Sequence, residues 1–522
     1  MPNVLTRRRK VGLTLFLGGL ALTLACQLAG NWELFRYGGT WRSLYSRTLG
    51  YDIAVYDAQP DKPEVGRVVI YPGFAASTQV YFPLALSLLR SGYAVRLLSH
   101  SGTPDSPAEM SYKAHLVESS EAARDFVSDG NDVPLFLIGH SEGTRYAIQT
   151  GREMPSVKGI VAMSPVSASL DTQRPANVLA LVASDDFDPV KHQSYLLLIS
   201  GTQLARPELN KLYGDLQQGT ARMVETLPKT NHFNVFINRD AQRETVNWLN
   251  RITGNADAKV HVSNPLKFPM LALGALLGAA VAVIGIGLLF SQTTAKSEST
   301  GIPSWAFLVV IIGGWALAAV VSNYVTLAQK IPLLVYGRLL VLFVLASIPL
   351  AIVAAVRPKL CAGIPRGSWK ARLALVALTA TMLLFDRWLI GVMPTGRRLM
   401  WFALAALISG IYFGLDEFLR RGIQRATDWR AGLALGVTGG FIAALSVAAA
   451  GFFLWSPLGQ FVVGGAATLF GLMVGCEFFA TYLYATSGDW FLSWWVRVSV
   501  FNGFLAALVP LISENAFRAI SR

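Results

Sequence analysis

The sequence predicts two fold classes in one chain: an α/β domain on a mostly parallel sheet, and an all-α transmembrane bundle that brings the total to about nine spans. Three observations carry this. The 522 residues are 53% hydrophobic and only 15% charged, far from the balance of an ordinary soluble chain. Long apolar runs occur once near the N-terminus and eight times after residue 267. Between them, short apolar runs bounded by Gly, Pro or Ser alternate with helical patterns, which argues for parallel strands covered on both faces.

Taken in order, Arg7-Arg8-Arg9-Lys10 precedes an apolar run from Val11 to about Gly30, long enough at about 1.5 Å per residue to cross about 30 Å of hydrocarbon. The basic flank predicts a cytoplasmic N-terminus. A cleavable signal peptide is the rival reading. Ala25-Cys26 hints at a lipoprotein site, but Thr23 stands where such sites favour Leu, so a retained anchor over 1–30 is expected. Residues 31–253 then form an exported domain. Arg67–Tyr71, Ala94–Leu98, Pro134–Ile138, Gly159–Met163, Tyr195–Ser200 and Arg222–Thr226 read as short apolar runs of strand type, with Val178–Ala183 a further apolar run. Tyr81–Arg90 and Arg243–Arg251 read as helices. Residues 254–267 are polar and unpatterned, a linker back to the bilayer, and 268–522 make an eight-span domain.

The formal charge of +13 is unevenly placed. Residues 1–10 carry four basic and no acidic side chains, 11–267 carry 23 against 24, and 268–522 carry 18 against eight. The domain between the spans is close to neutral, which excludes the basic surface expected of a nucleic-acid binder. With the N-terminus inside, the inner connectors hold Lys296, Arg357, Lys359, Arg366, Lys370, Arg372, Arg420, Arg421, Arg425 and Arg430. The outer ones hold Lys330, Arg397, Arg398, Arg518 and Arg522, so the positive-inside rule gives the same orientation. Cys26, Cys361 and Cys476 lie in apolar or membrane-flanking sequence and offer the exported domain no disulfide framework.

Gly139-His140-Ser141-Glu142-Gly143 follows the strand Pro134–Ile138 and precedes a helical stretch, Thr144–Gly151, the setting a G-x-S-x-G nucleophile turn requires. The glycines permit a sharp turn that exposes Ser141, and the helix N-terminus adds positive partial charge beside it. A serine hydroxyl needs a base, and His232, just after the last strand, is the downstream candidate. Tyr71-Pro72-Gly73-Phe74 ends the first strand of the repeat, where the Phe74 amide is expected to face the Glu142 amide as a second donor to an oxyanion.

On these residues the stretch of roughly 65–252 resembles the α/β-hydrolase superfamily, in particular its serine aminopeptidase and monoacylglycerol-lipase-like branch. The resemblance implies Ser141 as nucleophile, His232 as base, and Phe74 and Glu142 as oxyanion donors. The His-Gly usual before the oxyanion residue is Pro72-Gly73 here. The family's acid, about 30 residues before the histidine, would fall at Gly201-Thr202-Gln203-Leu204, where a leucine stands. The earlier run Val178–Ala183 ends in Ser184-Asp185-Asp186-Phe187-Asp188 and makes Asp186 the favoured acid, with Asp185, Asp188 and Glu208 as alternatives. His140 is assigned to local packing or the pocket wall, and His100, His115, His192 and His261 to surface or packing roles.

Within the spans, Arg338, Asp386, Arg387, Glu477 and Arg497 are expected to pair across helices, or to line a polar path or a lipid-headgroup site. The run Asp416-Glu417-Phe418-Leu419-Arg420-Arg421-Gly422 is similar to the acidic-acidic-x-x-x-Arg-Gly motif of CAAX-protease-like membrane proteins. No histidine follows His261, so a helix end with a solvated basic tail is expected instead, and no metal site. The whole predicts a serine hydrolase in a bacterial cytoplasmic membrane. It would act without metal or organic cofactor on a membrane lipid or other amphiphilic acyl ester at the outer face. The competing class is a transport or scaffolding protein with a catalytically degenerate, ligand-binding domain.

Overall fold

A computed structural model describes the chain except residues 1, 75, 104, 107, 129–132, 167–168, 292–302, 361–367, 390–395, 455–458, 509–510, 514 and 517–522. Cys361, Lys296, Arg366, Arg518 and Arg522 therefore lie outside the described residues, as do the side chains of Asp386, Arg387 and Arg397. The chain forms two compact units, Leu28–Ala272 with Arg387–Thr395, and Met1–Gln27 with Leu273–Asp386 and Gly396–Arg522.

Helix α1 (Pro2–Arg36) leads into β1 (Thr40–Ser46), β2 (Tyr51–Ala58) and β3 (Gly66–Tyr71). Then follow α2 (Phe82–Arg90), β4 (Tyr93–Ser99), α3 (Tyr112–Phe126), β5 (Leu135–His140), α4 (Gly143–Glu153), β6 (Val157–Met163), β7 (Val178–Ala183), α5 (Asp188–Thr202), β8 (Arg222–Leu227) and α6 (Arg239–Ile252). The eight strands form one sheet in the order β1-β2-β4-β3-β5-β6-β7-β8. β2 pairs antiparallel with β1 and β4, and every other pairing is parallel. β3, β4, β5 and β7 are buried along their whole length, as strands covered on both faces must be, and their apolar runs reflect it. Two apolar clusters, one around Phe136, Leu181 and Trp248 and one around Tyr71, Leu137 and Tyr146, fill the two sides of the sheet.

Two features depart from the sequence reading. β1 and β2, an antiparallel extension before Arg67, carry few of the continuous apolar residues that mark the central strands. Tyr195–Ser200 is not a strand but the second half of α5, which Pro189 initiates and Gln203 closes in the left-handed conformation at φ 60°. A run of β-type composition is helical there because its ends are helix signals. Residues 254–266 contain no helix or strand, yet Ser263 is buried and its amide donates to Ser87 Oγ at 2.8 Å and Gln242 Oε1 at 3.1 Å.

The other unit continues with α7 (Lys267–Leu289), α8 (Ser304–Val321), α9 (Leu334–Val356), α10 (Trp369–Leu389), α11 (Gly396–Ala426), α12 (Trp429–Leu454), α13 (Gly459–Ser487) and α14 (Trp490–Leu508). Among the described residues, α1 and these eight helices coincide with the nine apolar runs. Seven helices among the described residues are long and apolar enough to cross a membrane. The first part of α1 packs closely on α7, where β-carbons at Gly12 or Gly19 would collide with α7 backbone, and Thr23 Oγ1 donates to the Ala275 carbonyl at 3.1 Å. Small residues permit this backbone approach. The bundle core holds Trp315, Phe343, Tyr412, Phe413 and Phe501, with Trp315 Nε1 donating to Tyr412 Oη at 2.9 Å.

The acidic-basic run on α11 is buried rather than a solvated tail. Arg420 and Arg421 are fully buried, and Asp416, Glu417, Glu477 and Arg497 are at most 5% exposed. Arg421 Nε donates to Glu417 Oε2 at 2.6 Å and its Nη2 to Glu477 Oε1 at 3.0 Å, and Arg497 Nη1 reaches Glu417 Oε1 at 3.0 Å. Three carboxylates and three guanidiniums thus join α11, α13 and α14. Partners from other helices keep these arginines from the water a terminal tail would find.

Candidate active site

The sheet topology brings four strand ends together. β5, β6, β7 and β8 are consecutive and parallel, so the residues following each emerge side by side at the carboxyl edge, where sites of open α/β sheets are built. Ser141 follows β5, Ser164 follows β6, Asp186 lies three residues past β7, and His232 lies five past β8.

Ser141 holds its backbone at φ 51°, a left-handed conformation unusual for a side chain with a β-carbon, at the start of α4. The turn closes because glycine stands on either side: a β-carbon at Gly139 or Gly143 would strike backbone of α4 or of the Tyr71-Pro72 segment. The Ser141 amide donates to Met163 O at 2.8 Å, which fixes the turn to β6.

His232 Nε2 lies 3.0 Å from Ser141 Oγ, and its Nδ1 lies 2.8 Å from Asp186 Oδ1. The carboxylate accepts from Nδ1–H, which leaves the Nε2 lone pair toward the serine hydroxyl. The loop after β7 is tied to that after β8 by Ser184 N to Leu227 O and Asp185 N to Thr230 O, each 2.9 Å, which sets Asp186 beside His232. Asp186 Oδ2 accepts from Ser164 Oγ at 2.5 Å, and its Oδ1 also accepts from the Phe187 amide at 2.8 Å. Burial pushes the Asp186 carboxyl up, but the hydrogen bonds from His232 and Ser164 outweigh it and hold the group below the ordinary carboxylate value. The Asp186 side chain is fully buried and that of His232 is 11% exposed, so the relay runs from the interior toward solvent.

Of the other acids weighed, Asp188 pairs with Lys191 at 2.9 Å, Glu208 with Lys211 at 2.9 Å, and Asp185 turns to Ser184 Oγ. Leu204 is exposed beyond the end of α5. Ser164 escaped the sequence reading. Its only signal was a polar residue at the carboxyl end of a strand neighbouring that of Ser141.

The Glu142 amide donates to no group among the described residues, as suits the first turn of a helix. Its carboxyl accepts from Tyr146 Oη at 2.6 Å, and burial raises it to about 6. Gly73 packs directly on His140 and Ser141, and Phe74 follows it. No group of three or more His, Cys, Asp or Glu suited to a metal ion occurs among the described residues.

Residues 62–197 match the family model described as serine aminopeptidase, S33. The match falls within the sheet domain, whose strand order and serine turn at the end of β5 are those of the α/β-hydrolase fold. Residues 28–272 form an α/β-hydrolase domain. Among solved structures, the chain is similar to a predicted CIB-like hydrolase from Thermoplasma acidophilum, at 17% identity over 41% of this chain and 100% of that one, TM-score 0.32. It is also similar to a monoacylglycerol lipase from Paleococcus ferrophilus, at 18% identity over 38% and 99%, TM-score 0.30. A third likeness is to carboxyl esterase 2 from the fungus Tuber melanosporum, at 15% identity over 43% and 87%, TM-score 0.31. No curated protein matches the sequence. The matched segment of the hydrolase family holds Ser141 and Asp186 and ends before His232.

Proposed function

We propose that this hydrolase domain is a serine esterase of lipase type, tethered to a bacterial cytoplasmic membrane and facing outward, that transfers the acyl group of a lipid or other amphiphilic ester to water. The observation that carries the reading is the unbroken line from Asp186 through His232 to Ser141 Oγ, with two contacts of 2.8 and 3.0 Å. In the reaction it supports, Ser141 Oγ attacks the ester carbonyl while His232 Nε2 takes its proton. The carbonyl oxygen becomes an oxyanion beside the Glu142 and Phe74 amides. Collapse breaks the bond to the alkoxy oxygen, which leaves as the alcohol with the proton from His232. Water then repeats the sequence on the acyl-enzyme and releases the carboxylic acid.

The rim favours an apolar substrate. Phe187 and Phe233 are 54% and 71% exposed, and their rings lie 5.2 and 5.5 Å from that of His232. Aromatic side chains left open beside a base suit an acyl chain or lipid tail. Asp186 supplies His232 with the carboxylate that family spacing had missed at Leu204, which supports catalysis over the scaffolding alternative. The outward orientation rests on the basic N-terminal flank and on the connector charges other than Arg420 and Arg421, which belong to the buried cluster.

The test is turnover of p-nitrophenyl butyrate by the detergent-solubilised protein. Wild type hydrolyses it and Ser141→Ala does not, with unchanged thermal unfolding. Equal rates in the two proteins contradict the reading.

A further inference from the structure

His140, the residue before the nucleophile, does more than line a pocket. It and Tyr81, the last residue of a short 3-10 turn (Thr78–Tyr81), are 5% and 1% exposed. Four groups form a chain: Gly73 N to Tyr81 Oη at 2.8 Å, Tyr81 Oη to His140 Nδ1 at 2.9 Å, and His140 Nε2 to the His232 carbonyl at 3.0 Å. The two ends fix every direction between them. An amide only donates, so Tyr81 Oη accepts from Gly73 and its own hydrogen goes to His140 Nδ1. A carbonyl only accepts, so His140 is the Nε2–H tautomer and donates to His232 O.

The ends of this chain belong to the two loops that acyl transfer must hold in place. Gly73 immediately precedes Phe74, and because Pro72 has no N–H, the Gly73 amide is the first donor that the loop offers after Tyr71. A β-carbon at Gly73 would lie 2.9 Å from His140 Nδ1, so the loop sits against the imidazole itself. At the other end, the carbonyl that His140 holds belongs to the base, whose side chain meets Ser141. Phe236 packs on both rings, at 4.8 Å from each, and closes the network from water.

We propose that Tyr81 and His140 are positioning residues that fix the oxyanion loop and the base loop at one separation across Ser141. This rests on the acyl-transfer reading above. Burial lowers His140 to about 3, which keeps the imidazole neutral and its Nδ1 an acceptor through the working pH range.

The test uses full-length protein in detergent, with active sites counted by a fluorophosphonate so that misfolded molecules are not scored. Tyr81→Phe removes the relay oxygen, and His140→Gln keeps a donor near His232 O while taking its acceptor oxygen off the Nδ1 position that faces Tyr81. Each variant should lower kcat per titrated site about 10- to 100-fold with KM within about twofold, because misplaced groups fail in the transition state rather than in binding. The double variant should lose no more than the worse single one, since either change opens the same chain. Wild-type kcat per site in Tyr81→Phe, or losses that multiply in the double variant, would overturn the proposal. If His140→Gln does not accumulate, Tyr81→Phe decides, as it keeps the ring on Phe236. A wild-type protein that takes no label sinks the esterase reading and this proposal together. A labelled, active wild type with unimpaired variants sinks only this one.

Discussion

Two buried polar assemblies in this molecule use similar side chains to opposite ends. In the α/β-hydrolase unit, Asp186, His232 and Ser141 make a line that starts from a fully buried carboxylate and ends on a hydroxyl near the surface. In the helical unit, Asp416, Glu417 and Glu477 meet Arg420, Arg421 and Arg497 in a closed cluster with no net charge. A line has a free end, where a lone pair remains for chemistry. A cluster of matched charges satisfies its members against one another and serves as a cross-link between helices. Burial and pairing do not mark a reactive site by themselves. What marks it is an imbalance directed at an accessible nucleophile.

Substitutions sharpen this contrast, beginning with the most severe. Ser141→Ala cuts ester turnover by about 10⁶-fold, the scale on which loss of a triad nucleophile acts, and a stopped assay with melting curves shows activity lost without stability. Asp186→Asn leaves the relay in place but imposes the wrong tautomer on His232, which lowers kcat by about 10⁴-fold; steady-state kinetics against wild type checks this. In the cluster the damage moves to the fold. Glu417→Leu strands guanidiniums in the bundle and costs about 3 to 5 kcal/mol, visible as a lower unfolding temperature in detergent, with short-ester turnover unchanged.

The mildest effect is a pH dependence within the α/β unit. Burial raises Glu118 to about 7, despite hydrogen bonds from Tyr51 Oη and the Ser101 amide. A carboxyl whose folded value lies above its unfolded one contributes stability that is complete below the unfolded value and lost as pH rises through the folded one. Glu118→Gln therefore gains stability relative to wild type from about pH 4 to pH 7 and levels off above. Denaturant midpoints for both proteins across that range check it, and a constant difference contradicts it. The comparison between proteins isolates Glu118 from the buried His100 and His115, both lowered chiefly by burial, whose contributions run the other way in wild type.

How much of this was legible in the sequence depended on how local each signal was. The serine turn was readable because strand, glycines and helix are contiguous. Asp186, which meets His232, was favoured from the shape of the segment after Val178–Ala183 and not from family spacing, since α5 and the segment before β8 lengthen its separation from His232 to 46 residues. Tyr195–Ser200 misled because apolar composition over six residues does not separate strand from buried helix. Ser164 and the Tyr81–His140 chain were beyond reach, because their partners lie on segments far apart in the chain and only the sheet order joins them. On α11 the spacing of Asp416, Glu417, Arg420 and Arg421 was visible, but Glu477 and Arg497 come from other helices, so burial of the run could not be read along the chain.

The central claim is that Ser141 is the one activated hydroxyl of the hydrolase domain. Treating the full-length protein with a fluorophosphonate and mapping the adduct by peptide mass spectrometry tests it directly. The account predicts a single stoichiometric adduct on Ser141 that forms far more slowly in Asp186→Asn. An unlabelled protein, or an adduct on another residue that persists in Ser141→Ala, would contradict it.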